Sequence, residues 1–411
     1  MKKVLLYHAL VATLGVLVQG VVRFAYTTWI GNTSDVISEV SAVLSLAVYF
    51  SLFWPAGAGL AAMRFLPAAS IGGPSAGGVM RLLRKSFWVA SAAAALVSYP
   101  ISYYFTGDAA AAAASSFLVV SYGAYTFTRG TLLGHARATQ ASLLDLVSAA
   151  VSFGVLLFVT TSGAHWALLL PLGVGYTVYA VLAWPRETGQ RLAASERSQV
   201  LSYTGYAIFG LIAAGGLLPA VMLFVQTFDV KAKADLFAAA LTLATPANML
   251  AQSLNQVLVQ YFSGRAQESA RETRKQAVGF FILSVVGFAA IFGALIAMAP
   301  WLMDLVFPGR YGGGVATLQV LLAVVAVSSL TAVPGAYLMA TGRHRAFSVA
   351  SFCATVAGIA SMAFLAPAWG LEGAIAGFAV GAVASAASVA VLAYMAKPQR
   401  VEAPSLIEDE L

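Results

Sequence analysis

Charge is what this sequence has least of. Only 9% of its 411 residues are charged, against roughly a quarter in an ordinary soluble domain, and no water-soluble fold tolerates that balance. Cysteine is nearly absent too. Cys353, the one copy, lies in an apolar run, which excludes a disulfide framework and a cysteine metal site. The four histidines, His8, His135, His165 and His344, are scattered, and no glycine-rich loop has nucleotide-binding spacing. A covalent catalyst needs such groups in one constellation, so the chain is read as a non-enzyme, and no cofactor or metal is implied. Alternation of apolar and polar residues over ten-residue segments is also missing, which excludes a transmembrane β-barrel.

What the chain has in excess is hydrophobic sequence, 60% of it. A helix crosses a hydrocarbon core of about 30 Å with roughly 20 apolar residues, its backbone groups satisfied within the segment. Runs near 5–30, 36–60, 86–106, 109–132, 140–162, 166–185, 201–227, 235–261, 277–302, 314–340, 346–366 and 372–396 supply about twelve such spans. The expected fold is an all-α polytopic transmembrane helix bundle. Lys2 and Lys3 ahead of the first run imitate a signal peptide. Apolar sequence continues to Ile30 without an A-x-A cleavage site, so this run is read as an uncleaved first span.

The net charge of +7 is topological rather than a nucleic-acid footprint. Sorting alternate loops puts nineteen lysines and arginines, with both termini, on one side. Three, Lys231, Lys233 and Arg310, lie on the other, and Arg23 is left inside the first span. Basic residues accumulate on the cytoplasmic side, so both termini of this cell-membrane protein are expected in the cytoplasm. Trp29, Trp166, Trp301 and Trp369 fall near outer span ends and Trp88 and Trp184 near inner ones, where interfacial indoles belong. The longest basic-side breaks are 61–85, 186–200 and 262–276. The second of them separates an N-terminal six-helix bundle (1–185) from a C-terminal one (201–396), with 186–200 as cytoplasmic linker and 397–411 as tail. Pro55-Ala56 in span two and Pro246-Ala247 in span eight are a faint internal echo, of the kind expected of repeat-built transporters.

Polar side chains inside spans are costly unless they face a cavity or one another. In the first span His8, Ala12, Gly15, Gln19, Arg23 and Tyr26 share one helical face. The second span repeats the pattern with Ser38, Ser41, Ser45 and Tyr49, and the eighth with Thr245, Asn248, Gln252, Asn255, Gln256 and Gln260. Any one of these residues is more simply interhelical glue. Three long stripes together point to a hydrated cavity between spans one, two and eight. Arg23 lies roughly 10 Å below the outer surface by helix rise. It has two open readings: a pair with Glu39 across the first hairpin, or a contact for an anionic substrate group. Arg129 and Asp145 flank the inner loop around residues 134–140 and are read as a local structural pair, and Asp108, Asp229, Asp235 and Asp304 as solvated residues at outer ends. Pro55, Pro219, Pro246 and Pro334 fall inside spans, where each permits a kink.

Four short motifs carry a resemblance. They are Leu305-Val306-Phe307-Pro308-Gly309-Arg310-Tyr311 before span ten, Ala340-Thr341-Gly342-Arg343 after it, Trp369-Gly370-Leu371-Glu372-Gly373-Ala374-Ile375-Ala376-Gly377 opening span twelve, and Arg129-Gly130 with Gly134 closing span four. Together they resemble the polysaccharide-transport branch of the multidrug, oligosaccharidyl-lipid and polysaccharide (MOP) exporter superfamily, which includes the O-antigen flippases. The loop Gly31 to Asp35 lacks the arginine and glycine pattern frequent in that family.

The resemblance implies two six-helix bundles around a central cavity, rocking between inward-open and outward-open states. It implies an undecaprenyl-diphosphate-linked oligosaccharide as cargo, flipped from the cytoplasmic to the outer leaflet for cell-surface polysaccharide biosynthesis. Arg23 would then contact the diphosphate. Gln19, Gln226, Asn248, Gln252, Asn255, Gln256 and Gln260 would meet sugar hydroxyls, with Tyr26 and Tyr49 on the same wall. A coupling ion, H+ or Na+, and glycan polymerases or glycosyltransferases are the expected partners. The alternative is a cation-coupled multidrug exporter of the same fold, which calls for an intramembrane carboxylate, and Glu39 and Asp145 are poorly placed for that. A membrane-embedded polymerase or glycosyl-transferring enzyme is disfavoured by outer loops of about five to ten residues, and a non-transporting scaffold by the polar stripes.

Overall fold

The structure is a computed structural model and describes residues 2–69, 74–163, 165–187, 189–266, 270–341 and 343–395. The side chains of 2–14 and 16, and several between 250 and 271, are not among those described. Every regular element among the described residues is helical. In chain order these are α1 (Lys2–Thr33), α2 (Ile37–Phe53), α3 (Pro55–Ala68), α4 (Ala76–Thr106), α5 (Ala109–Gly134), α6 (Ala138–Ser162) and α7 (Leu170–Leu182). The second half contains α8 (Ala194–Gly215), α9 (Leu217–Phe228), α10 (Lys231–Ala266), α11 (Ala270–Val306), α12 (Val315–Ser329), α13 (Ala332–Ala340) and α14 (His344–Tyr394).

These helices make twelve spans because three spans are broken and one long helix is two. Pro55 has no N–H to continue α2, so the second span bends by 42° into α3. The seventh bends by 66° at the Gly215-Gly216 step between α8 and α9, and the tenth breaks at Leu330-Thr331 between α12 and α13. Inside α14, Gly370 adopts φ 53° and ψ −125°, which turns the eleventh span into the twelfth. A side chain at that glycine would meet the Asp229 carboxylate at 2.3 Å, and the same carboxylate accepts the Leu371 N–H at 2.6 Å to cap the returning helix. Asp229 is therefore a capping residue rather than a solvated one. Asp108 likewise caps α5, accepting the Ala110 N–H at 2.9 Å.

Five helices are long and apolar enough to cross a membrane on composition alone, seven if each bent pair counts once. The remaining helices are α1 and α10, which carry polar stripes, the 13-residue α7, and α4, whose first turns carry Arg81, Arg84 and Lys85. Large apolar side chains with no protein partner ring the molecule, Phe364 at 82% exposure and Phe158 at 75% among them. Water would not tolerate that surface, and lipid requires it. The protein is a multi-pass membrane protein.

Buried apolar side chains gather largely within each half, with Ile37 and Ala42 of α2 joining the second half's cluster. One set of clusters joins α1 to α7 through Val22, Val43, Leu118 and Tyr176, and another joins α9 to α14 through Val221, Phe237, Leu321 and Phe378. Within the first bundle α3 and α5 touch backbone to backbone: a Cβ on Gly130 would lie 2.4 Å from the Gly59 Cα. Replacing Gly130 by alanine is expected to lower stability by about 1–3 kcal/mol, as overpacking does. The same change at Gly154, which has nothing within 4 Å, should be neutral or mildly stabilising. Unfolding midpoints of the two purified variants, side by side, check this contrast.

Candidate functional site

The polar face of α1 turns inward, and what it meets is the first bundle's own interior. Gln19 is buried, and its Nε2 donates to the Asp145 backbone carbonyl on α6 at 3.0 Å. Four residues on, the Arg23 Nε donates to the Tyr176 hydroxyl on α7 at 2.9 Å. Its guanidinium carbon stands 4.4 Å over the Tyr122 ring on α5, a cation–π geometry. Tyr26, 1% exposed, donates from its hydroxyl to the Leu168 carbonyl. Glu39 is not the partner of Arg23; it binds Lys231 at 2.7 Å. The α1–α2 hairpin points Glu39 outward to the second bundle while the turn of α1 points Arg23 inward.

Asp145 is the centre of the network. It is fully enclosed, with Arg129 Nε at 3.2 Å from one carboxylate oxygen and the Tyr125 hydroxyl at 2.9 Å from the other. Because Asp145 sits two turns into α6 and Arg129 one turn from the end of α5, the pair lies within the bundle and not in the loop between the helices. Gly15 makes room for it: a Cβ there would be 2.3 Å from Asp145 Oδ2 and 3.1 Å from Arg129 Nη2. Tyr122, Tyr125, Tyr176 and Tyr179 pack around the ion pair with ring centroids 4.8–5.9 Å apart. The Tyr179 hydroxyl, the Ser148 hydroxyl and the Gln19 Oε1 are buried without a hydrogen-bond partner among the described residues. These tyrosines escaped the sequence reading. Their signal was there, in Tyr122, Tyr125 and Arg129 at i, i+3, i+7 of one helix and Tyr176 and Tyr179 at i, i+3 of another.

The other expected site residues do not join this network. Tyr49 packs edge-on to Phe53 at 5.4 Å and against the second bundle's core. Gln226 on α9 is half-buried, with its Oε1 unpartnered among the described residues. Asn248 borders a small cavity of about 110 Å3 inside the second bundle, walled by the α8–α9 break and by Ser329, Thr331, Ser351 and Ser385. The side chains of Gln252, Asn255, Gln256 and Gln260 lie outside the described residues.

At the hairpin end the two bundles are tied together. Besides Lys231–Glu39, Arg310 pairs with Asp35, and the Asp235 carboxylate accepts the Ser38 N–H at 3.2 Å. Asn32 Nδ2 donates to the Val306 carbonyl at 2.8 Å, and the Tyr311 hydroxyl donates to the Gly31 carbonyl at 3.2 Å. Asp235 is thus a bundle-to-bundle acceptor and not simply solvated. All three cations that charge sorting placed on this side, Lys231, Lys233 and Arg310, are in ion pairs here.

Twelve spans in two bundles, with broken helices in both, match solved structures over nearly the whole chain. An inward-facing multidrug resistance MATE family transporter of the MOP superfamily superposes with a TM-score of 0.71, covering 93% of this chain and 97% of that one at 12% identity. The chain has the MATE transporter fold. An outward-facing multidrug resistance MATE family transporter matches with a TM-score of 0.64 over 96% and 95% of the two chains, also at 12% identity. A MOP superfamily transporter from Pyrococcus furiosus, described as having a binding pocket of reverse polarity that suggests a different function, matches at 0.62 over 96% and 95%, at 13% identity. Neither a protein-family model nor a curated protein matches the sequence.

Proposed function

We propose that the protein is a secondary transporter that exports a small-molecule cargo of the multidrug type by alternating access, driven by protons acting on Asp145. The single observation that carries this reading is a fully enclosed carboxylate inside a membrane bundle, hydrogen-bonded on both oxygens. Ionisable groups at that depth are costly and are kept where ions move. Asp145 was expected from sequence to be poorly placed for coupling, and its enclosure within the bundle supports the coupling reading. A proton neutralises Asp145 and frees Arg129. A sodium ion would have to share the carboxylate with a guanidinium already in contact, against like-charge repulsion. The solved transporters of this fold include proteins described as multidrug resistance transporters, which supports the cargo class. In this reading residues 1–185 and 201–396 rock about the 186–200 linker, with both termini in the cytoplasm.

The test is efflux of a cationic dye from proteoliposomes under an imposed pH gradient. Wild-type protein should move dye only with the gradient, and Asp145→Asn should lose at least tenfold in rate. Gradient-independent transport, or an unaffected variant, rejects the reading.

One observation favours the second reading, a lipid-linked oligosaccharide flippase with glycan polymerases or glycosyltransferases as partners. The network holds two cations, Arg23 and Arg129, and one carboxylate, Asp145, and no carboxylate pairs with Arg23 among the described residues. A net positive interior suits a diphosphate head. Flipping of a fluorescent polyprenyl-diphosphate glycan, lost in Arg23→Ala while dye efflux persists, would establish that cargo. Unchanged flipping removes Arg23 from it.

A further inference from the structure

At the opposite end of the molecule from the closed hairpin, four cations converge on one groove. It has a volume of about 670 Å3 and runs between the first half of α4 and the start of α8. Arg81 and Lys85, one turn apart on α4, line one wall, and Arg191 and Arg197, at the end of the linker and the start of α8, line the other. None of the described lining residues is acidic, and no carboxylate among the described residues is ion-paired with any of the four. Loop cations that serve topology alone have no reason to share a concave site.

The groove changes character along its length. Beyond Lys85 its α4 wall continues through Val89 to Ala93, and the α8 wall through Leu201. From Arg81 to Ala93 is about 18 Å of helix, so a basic mouth grades into an apolar channel within the depth of one lipid leaflet. Trp88, 55% exposed beside this wall, and Trp184, 5.4 Å from it, mark the interfacial level. Trp54 at the α2–α3 bend also lines the groove, and its buried indole N–H has no acceptor among the described residues.

We infer that this groove binds an anionic membrane phospholipid carrying two phosphates, head group among Arg81, Lys85, Arg191 and Arg197 and one acyl chain along Val89 and Ala93. Basic pockets between helices at the cytoplasmic face take such heads, and arginine's fork matches phosphate oxygens two at a time. The site also spans the joint between bundles. The Arg81 guanidinium reaches the Gly189 carbonyl at 3.4 Å, and a Cβ on Gly189 would lie 2.5 Å from the Gly77 carbonyl carbon. A lipid seated there would hold the linker against α4.

The experiment titrates purified protein with cardiolipin, with phosphatidylcholine and with inorganic pyrophosphate. It reads bound lipid by native mass spectrometry and stability by the unfolding midpoint. Cardiolipin should be retained and raise the midpoint by several degrees, and the other two should not. At about fivefold per basic residue, Arg81→Ala with Arg197→Ala should weaken cardiolipin binding roughly thirtyfold. Arg81→Lys with Arg197→Lys should keep it within a few-fold. Arg137→Ala with Arg345→Ala, two exposed cations outside the groove, should leave it unchanged. The inference fails if the Arg81 and Arg197 pair binds as wild type, if the control pair weakens binding as much, or if pyrophosphate stabilises as well as cardiolipin. None of these readouts needs transport.

Discussion

Arg129→Met alone is expected to cost about 3–5 kcal/mol, and most of that should return when Asp145→Leu is added to the same chain. The reason is an asymmetry. Breaking a buried pair strands the other charge in a low-dielectric interior, whereas removing both charges at similar volume is close to neutral. Asp145 has 0% side-chain exposure and Arg129 13%, so water cannot rescue the survivor of a single substitution. Recovery should stop short of wild type by about 1–3 kcal/mol, because the Tyr125 hydroxyl would then be buried with no acceptor. Unfolding midpoints of the two singles and the double, compared as a cycle, measure the coupling. If the double variant is as unstable as the sum of the singles, the two residues do not act as a pair. The cycle also separates structure from work. A double variant that is stable but fails to export dye under a pH gradient assigns Asp145 to transport, and one that is stable and active removes it from the mechanism.

The spans were legible because hydropathy and loop charge read the same physical boundary, the edge of the hydrocarbon, from its two sides. The places of three bends were legible too: Pro55 stands at the α2–α3 bend, and Pro219 and Pro334 each lie four residues after a break, at Gly215 and at Leu330, whose carbonyl the proline cannot bond. Their angles were not, and Pro246 lies inside a continuous α10. The motifs that carried the family resemblance turn out to be architectural. Gly370 makes the last hairpin, and a side chain on Gly373 would strike the Leu365 carbonyl at 2.3 Å. Phe307 and Tyr311 meet edge to face at 5.2 Å beneath the first hairpin. Such residues speak to the fold, and the fold is what they correctly indicated; they say nothing of cargo.

The site was half legible for a related reason. A polar stripe on one helix says that something polar faces it but not which helix does so. The face containing Gln19, Arg23 and Tyr26 was real, yet the partners of these three side chains lie on α5, α6, α7 and the turn at Leu168 rather than on α2 and α10 across a cavity. Asp145 was discounted because its neighbours in sequence form a loop, while roughly 10 Å of helix carries it away from that loop. Tyrosine, counted as hydrophobic, concealed four hydroxyl groups around the enclosed Arg129–Asp145 pair.

The closed hairpin end makes the other large prediction. Each exposed ion pair across the bundles, Lys231–Glu39 and Arg310–Asp35, contributes at most about 1 kcal/mol. Glu39→Gln with Asp35→Asn should therefore shift the balance between states by about 1–2 kcal/mol, a factor of roughly five to thirty in population. That would alter transport rate without abolishing it. A covalent tie at the same place has no such limit. Cys353 is exposed and is the sole native thiol, so Cys353→Ser provides a clean background for Glu39→Cys with Lys231→Cys. A short bifunctional thiol reagent should join the two positions and stop transport, and a reducible version of the reagent should release it on reduction. The matching tie between Gly57→Cys on α3 and Ile208→Cys on α8, where the bundles touch, asks a different question, whether that contact also parts. If the first cross-link forms and transport continues, the hairpin end does not open during the cycle, and alternating access between these two bundles is excluded for this protein.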